Sequence, residues 1–390
     1  MTVTTMSGAR PARRRAPVSG ASLVIDLRPL QGGDSGRGIG ATVSGLARCM
    51  PGTEAVVWRD RPLPGEAEGR RLVPVPGPHR GERRGWVADA ALSRLVLSRL
   101  RDVVWHLPTS DISYGACGSY VLTLHDTIPW RFPDLYPAGP TGRLRMSLTA
   151  RMARKAAMVV VPSKVSADDA RRFLEVPYDR LAVIPWAADP DLVTPVPEHR
   201  ERLAQSLRLP ITYVVMAGGF VHHDPRKHYP DAARALLELP EEVSLVVTGA
   251  DGPASSRFRE EVDRMGLSRR VTLTGFLDAA EMSAVFSRAA AFVFPSLWEG
   301  FGLPLLNAFA LGVPAVVSDG GSLPEVAGGA ALVYPAGDTV ALARELARVL
   351  ESPDLAAELA ERGRDRGSQF SWTETADRYR QVYRDAGAAL

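Results

Sequence analysis

The sequence predicts an α/β protein of two doubly wound, mainly parallel-sheet domains that face each other across a cleft. Three observations predict it. Short runs rich in Val, Ile and Leu alternate with longer segments of helical period along the whole chain, and strands that read as continuous apolar runs belong to parallel sheets covered on both faces by helices. A Pro-rich, charged stretch at residues 188–210 interrupts the alternation near the midpoint, as an interdomain connection does. The length, 390 residues, exceeds the size at which a single core keeps growing.

Residues 1–20 carry Arg10, Arg13, Arg14 and Arg15 and no acid. They lack the apolar core of roughly 7–15 residues that a secretory signal needs, so a disordered basic tail is expected. The first domain is expected over residues 21–190, with strands in the runs at 22–28, 55–59, 102–107, 120–125, 158–162 and 181–185. Residues 191–210 read as a linker. The second domain, 211–370, has its runs at 212–218, 243–248, 271–275, 291–295, 314–318 and 331–334. Three helical segments close the chain, at 337–351, 354–366 and 373–386, the last opened by Ser371 as N-cap with Glu374 three residues on. That is more helix than one sheet requires, so residues 371–390 are expected to cross back onto the first domain.

Composition excludes several classes. With 45% apolar and 7% aromatic residues the chain is ordinary globular protein, and no apolar stretch approaches the roughly 18 residues of a spanning helix. The net charge is +3 and the isoelectric point about 9.0. Once the four tail arginines are set aside, the other 370 residues carry −1, so the charge does not point to a nucleic-acid partner. Cys49 and Cys117 fall in different segments without metal-ligand spacing, and a reducing cytoplasm is the expected location. Only Lys155, Lys164 and Lys227 are lysines among 47 basic residues.

The strongest site signal is the stretch AFVFPSLWEGFGLPLLNAFALGVPAVVSDGGSLPE, residues 291–325. A strand ends near Pro295, a turn holding Glu299, Gly300, Phe301 and Gly302 follows, and a helix is expected over 304–311 with Pro304 first and Gly312 behind it. A helix N-terminus reached through glycines offers free N–H groups to an anion such as a diphosphate. Asn307, one turn in, leans back over that end, because helical side chains tilt toward the N-terminus. The plainer reading is a tight strand-to-helix turn whose glycines serve packing.

Further segments occur in order: SGRGIG (35–40), LTLHDTIPWRFPDLYP (122–137), VVVPSKVSADDARRFLEVPYDRLAVIPWAAD (159–189), MAGGFVHHDPRKHYPDAARAL (216–236), VTLTGFLDAAEM (271–282) and FSWTETADRYRQVY (370–383). Together with WEGFGLPLLNAFALG they resemble the retaining, nucleotide-sugar-dependent glycosyltransferases of family 4, with the GT-B fold, over nearly the whole chain after residue 21. HDTIPWRFPDLYP is most similar to the subset that transfers mannose or 6-deoxyhexoses. The resemblance implies a hexose donor linked to a nucleoside diphosphate, GDP-mannose-like or a dTDP-deoxysugar, and a hydroxyl acceptor in natural-product or cell-surface glycan synthesis. It implies no metal and no cofactor. It gives Glu299 the donor-sugar hydroxyls, Lys227 with Arg226 the diphosphate, His125 the reacting centre, and Gly38 and Gly40 close backbone approach to the donor. The amides of Phe301, Gly302 and Leu303 complete the phosphate cradle, and Asn307 takes the ribose position.

Two departures stand out. The family's second glutamate is here Asn307, which loses a charged acceptor worth about 1.5–3 kcal/mol in a buried hydrogen bond. The arginine that partners the lysine in many relatives is missing near Gly219 and Phe220. These departures keep a second reading open, a catalytically impaired protein that binds nucleotide or sugar. GRGIGA (36–41), with Asp60 some twenty residues on, meets the loose dinucleotide pattern, yet eight positions separate it from Arg28, against nicotinamide binding. Residues 142–157 carry Arg143, Arg145, Arg151, Arg154 and Lys155 among Leu144, Met146, Leu148 and Met152. That helix reads either as a solvated face or as a peripheral membrane contact.

Overall fold

The computed structural model describes residues 21–32, 38–76, 94–95, 98–100, 102–109, 118–192, 194–221 and 223–390. The expected tail, residues 35–37 of the glycine loop, Cys117 and His222 lie outside the described residues.

Two parallel sheets organise the chain. The first contains β1 (Ser22–Asp26), β2 (Glu54–Trp58), β3 (Leu72–Val75), β4 (Val103–Leu107), β5 (Ser119–Thr123), β6 (Met158–Val161) and β7 (Leu181–Val183), in the order β3-β2-β1-β4-β5-β6-β7. The second contains β8 (Thr212–Ala217), β9 (Val243–Thr248), β10 (Val271–Leu273), β11 (Ala291–Phe294), β12 (Ala315–Ser318) and β13 (Leu332–Tyr334), in the order β10-β9-β8-β11-β12-β13. In each the order reverses beside the first strand, the switch point outside which ligands of such sheets bind. The apolar runs of the sequence become these strands, with one addition. β3, LVPV, was not among them: its Pro74 breaks the apolar run and gives no N–H, which the sheet tolerates because β3 is an edge strand.

Each sheet is buried on both faces, so four apolar clusters form, two per sheet. One first-sheet cluster is completed from the far end of the chain. The helix Trp372–Asp385 inserts Ala376, Tyr379, Val382 and Tyr383 among Ile25, Val104, Val121 and Val160. Its start is capped as its sequence requires, Ser371 Oγ accepting from the Glu374 amide at 3.1 Å. The chain end continues the attachment: Ala388 bridges Ala21 in parallel, and the Ala389 amide donates to the Ala21 carbonyl at 2.7 Å. The stretch read as a linker is partly ordered, since residues Pro197–Ser206 form a helix that Arg288 ties down through Glu201. The arginine-rich helix, Pro140–Lys155, buries Thr149, Ala150 and Ala153 and leaves Arg143, Leu144, Arg151, Arg154 and Lys155 exposed.

Candidate functional site between the two sheets

The carboxyl end of β11 leads through Pro295 and Trp298 to Glu299, and the chain then turns sharply into the helix Leu303–Ala310. Gly302 makes the turn. Its φ of 108° is costly for any residue with a Cβ, and the helix follows with Pro304 in its first turn. A helix N-terminus lies a few residues beyond Glu299, and such an end attracts anions. Ser322 secures the loop by donating its hydroxyl to the carbonyls of Glu299, at 3.0 Å, and Phe301, at 2.8 Å.

A short 3-10 turn, Pro225–Lys227, brings two cations onto Glu299. Arg226 Nη1 lies 2.6 Å from Oε2, and Lys227 Nζ donates to Oε1 at 2.7 Å. Backbone contacts lock the two loops together: the Leu297 amide donates to the Arg226 carbonyl at 2.7 Å, and Arg226 Nη1 to the Trp298 carbonyl at 2.8 Å. The other guanidinium nitrogen pairs with Asp224 at 3.1 Å. All three site side chains are at least four-fifths buried. Burial by itself would raise the pKa of Glu299, but Arg226 and then Lys227 outweigh it and hold the carboxyl down at about 2. Burial likewise opposes the charge on Arg226, and Glu299 with Asp224 overcomes it, so its pKa is raised. Burial lowers the pKa of Lys227, against the opposing pull of Glu299, so two basic side chains converge on one buried carboxylate beside a helix N-terminus.

The first domain closes on this loop. Gly300 allows the approach, because a Cβ there would stand 2.5 Å from the His125 carbonyl oxygen. The Gly300 carbonyl accepts from Ser163 Oγ at 2.7 Å and Ser166 Oγ at 2.9 Å, both on the N-terminal end of the helix Lys164–Leu174. Glu325 accepts from the Lys164 amide. Gly38, which opens the helix Gly38–Arg48, lies against the helix Leu303–Ala310, its position for a Cβ being 3.4 Å from Leu303. His125 lies at the β5 end next to a cavity of about 350 Å³ lined also by Ile39, Leu124, Asp126, Trp130 and Tyr136.

The structure therefore brings Glu299, Arg226, Lys227, Phe301, Gly302, Leu303, His125 and Gly38 to one cleft. Three expectations are modified. Gly40 is buried inside the first helical turn rather than presented in a loop. His125 Nε2 is engaged at 2.7 Å by the Pro108 carbonyl, and the ring packs 4.9 Å from Trp186. The Asn307 Oδ1 accepts from the Asp189 amide at 2.9 Å, tying that side chain to the interdomain segment. Sequence reading missed Asp224, Tyr136, Trp298 and the Ser163 and Ser166 contacts, since only folding sets these residues against the site. Among the described residues no group of His, Cys, Asp and Glu is arranged to hold a metal ion, and no helix is long and apolar enough to cross a membrane.

Two facing parallel sheets with a helix N-terminus, two buried cations and a carboxylate in the cleft define a GT-B scaffold of the glycosyltransferase class. Residues 204–366 match the model of glycosyl transferases group 1, and residues 37–192 match that of glycosyltransferase family 4. The chain belongs to the family 4 glycosyltransferases. It is 26% identical over 288 residues to the O-antigen chain mannosyltransferase B of Escherichia coli, across 72% of this chain and 74% of that one. Over 252 residues it is 32% identical to the MMP alpha-(1->4)-mannosyltransferase of Mycolicibacterium hassiacum, across 63% of this chain and 58% of that one. The solved structure of HepE from Anabaena in complex with UDP and glucose superposes with a TM-score of 0.74 at 18% identity, covering 93% of this chain and 99% of that one.

Proposed function

We propose that the protein transfers a hexose from a nucleoside-diphosphate sugar, GDP-mannose-like or a dTDP-deoxysugar, to an acceptor hydroxyl with retention of configuration. The observation that carries this reading is the buried set of Arg226, Lys227 and Glu299 beside the N-terminus of the helix Leu303–Ala310. The mannosyl transfer named for two relatives, and the UDP and glucose held by a structural neighbour, support the donor class. Arg226, Lys227 and the amides at Gly302 and Leu303 would take the diphosphate, and their contacts strengthen as charge develops on the leaving group, which lowers the barrier. That division of labour requires no bound metal, and chelator-insensitive turnover is expected. Glu299 would hold the donor-sugar hydroxyls, and the cavity beside His125 would receive the acceptor. With no second nucleophile assigned, retention is attributed to front-face displacement, the departing phosphate taking the acceptor proton. The closed cleft limits attack by water.

The test is nucleotide release from a panel of GDP-, UDP- and dTDP-sugars, with calorimetry alongside. Glu299→Ala and Lys227→Ala are each expected to lower turnover by about a hundredfold or more. Near-wild-type turnover in both sinks the reading. Nucleotide binding without release from any donor supports instead the catalytically impaired binding protein that Asn307 and the missing arginine near Gly219 suggest.

A further inference from the structure

After β5 the chain lines the cavity of the first domain with Pro129, Trp130 and Tyr136 and, in the same segment, grips the second domain. Arg131 sets its guanidinium 3.5 Å from the centre of the Trp298 ring, and Phe132 meets that indole edge-on at 6.1 Å. Tyr136 donates its hydroxyl to Oδ1 of Asp224, whose other oxygen pairs with Arg226 at 3.1 Å. Arg226 thus stands between two carboxylates, Asp224 and Glu299, and each competes with an incoming anion for it. A carboxylate with both oxygens free grips a guanidinium through two parallel bonds. The Tyr136 hydroxyl holds Oδ1 and so orients the carboxylate, which meets Arg226 through Oδ2.

We propose that Tyr136 is a positioning residue for donor binding. By donating across the cleft to Asp224 it confines that carboxylate to one contact with Arg226 and leaves the guanidinium available to a diphosphate. The inference rests on the reading of Arg226 and Lys227 as diphosphate partners. Tyr136→Phe isolates the bond, because the ring still lines the cavity and only the hydroxyl is removed.

The experiment is calorimetric titration of GDP, UDP and dTDP into the full chain as wild type, Tyr136→Phe, Asp224→Asn and the double variant. A nucleoside diphosphate that binds the wild type is expected to bind Tyr136→Phe about tenfold more weakly. Asp224→Asn is expected to bind at least as tightly as wild type, and adding Tyr136→Phe to it is expected to change nothing, since no carboxylate remains to be restrained. A purely structural role for the hydroxyl would weaken binding equally in both backgrounds, and that result overturns the proposal. So does an unchanged Tyr136→Phe, or an Asp224→Asn that binds more weakly. A wild type that binds none of the three nucleotides removes the donor reading itself, and this inference with it.

Discussion

Asn307 stands where the family resemblance leads one to expect a carboxylate, and its amide oxygen is already taken by the Asp189 amide. What remains for a ligand is the NH2 group and one lone pair of an uncharged oxygen, a weaker acceptor for a ribose hydroxyl than a carboxylate. If position 307 faces the ribose, UDP and its 2′-deoxy analogue should bind within about threefold of each other, and Asn307→Glu should favour UDP by about tenfold. Calorimetry with the two nucleotides checks this. Asn307 also marks how far single residues could be read. The loss of the acid was plain from the sequence, but the partner at Asp189 is 118 positions away and exists only once the interdomain segment has folded against the helix.

At the scale of elements, the terminal helix Trp372–Asp385 is held to the first sheet by a polar chain inside an apolar contact. The Tyr383 hydroxyl meets Nδ1 of His106 at 3.0 Å, His106 Nε2 meets Thr123 Oγ1 at 2.9 Å, and Thr123 meets the Tyr379 hydroxyl at 2.9 Å. The neutral imidazole offers these two hydroxyls one acceptor and one donor. Burial pushes the His106 pKa from its ordinary 6.5 down to about 3, with His125 adding to the shift. Between those values the unfolded chain binds a proton that the folded one refuses. Stability is therefore full above about pH 6.5 and falls as the pH drops toward about 3. Denaturant melts near pH 7 and pH 5 should show a lower midpoint at the acid value, and the difference should shrink in His106→Asn. The helix itself was legible, through its Ser371 and Glu374 cap. Its docking partner was inferred only from an excess of helix, and no pattern in the sequence joined Tyr383 to His106.

In the whole molecule one set of contacts between the two domains gathers around Gly300. Ser163 and Ser166 bond its carbonyl, Glu325 bonds the Lys164 amide, Trp298 packs on Arg131 and Phe132, and Tyr136 reaches Asp224. Gly300→Ala would drive a Cβ to 2.5 Å from the His125 carbonyl, which one domain relieves by moving away from the other. Solution scattering should then show a larger radius of gyration than wild type while each domain stays folded, and transfer should fall as water enters. An unchanged radius would mean the loop yields locally instead.

The sequence by itself determined the two doubly wound sheets, the glycine-bearing strand-to-helix turn at Glu299–Leu303 and the capped terminal helix, while Arg226 and Lys227 were singled out by the family resemblance. Those features are local: apolar runs of strand length, glycines at a strand-to-helix turn, and a cap at three-residue spacing all act over a few neighbouring residues. The tertiary structure alone decided which charge meets which. Arg226 and Glu299 are 73 positions apart and Tyr136 and Asp224 are 88 apart, so their pairing depends on how two sheets twist and where the cleft closes. Electrostatic contacts of 2.6–3.1 Å are set by that packing, which no local pattern encodes.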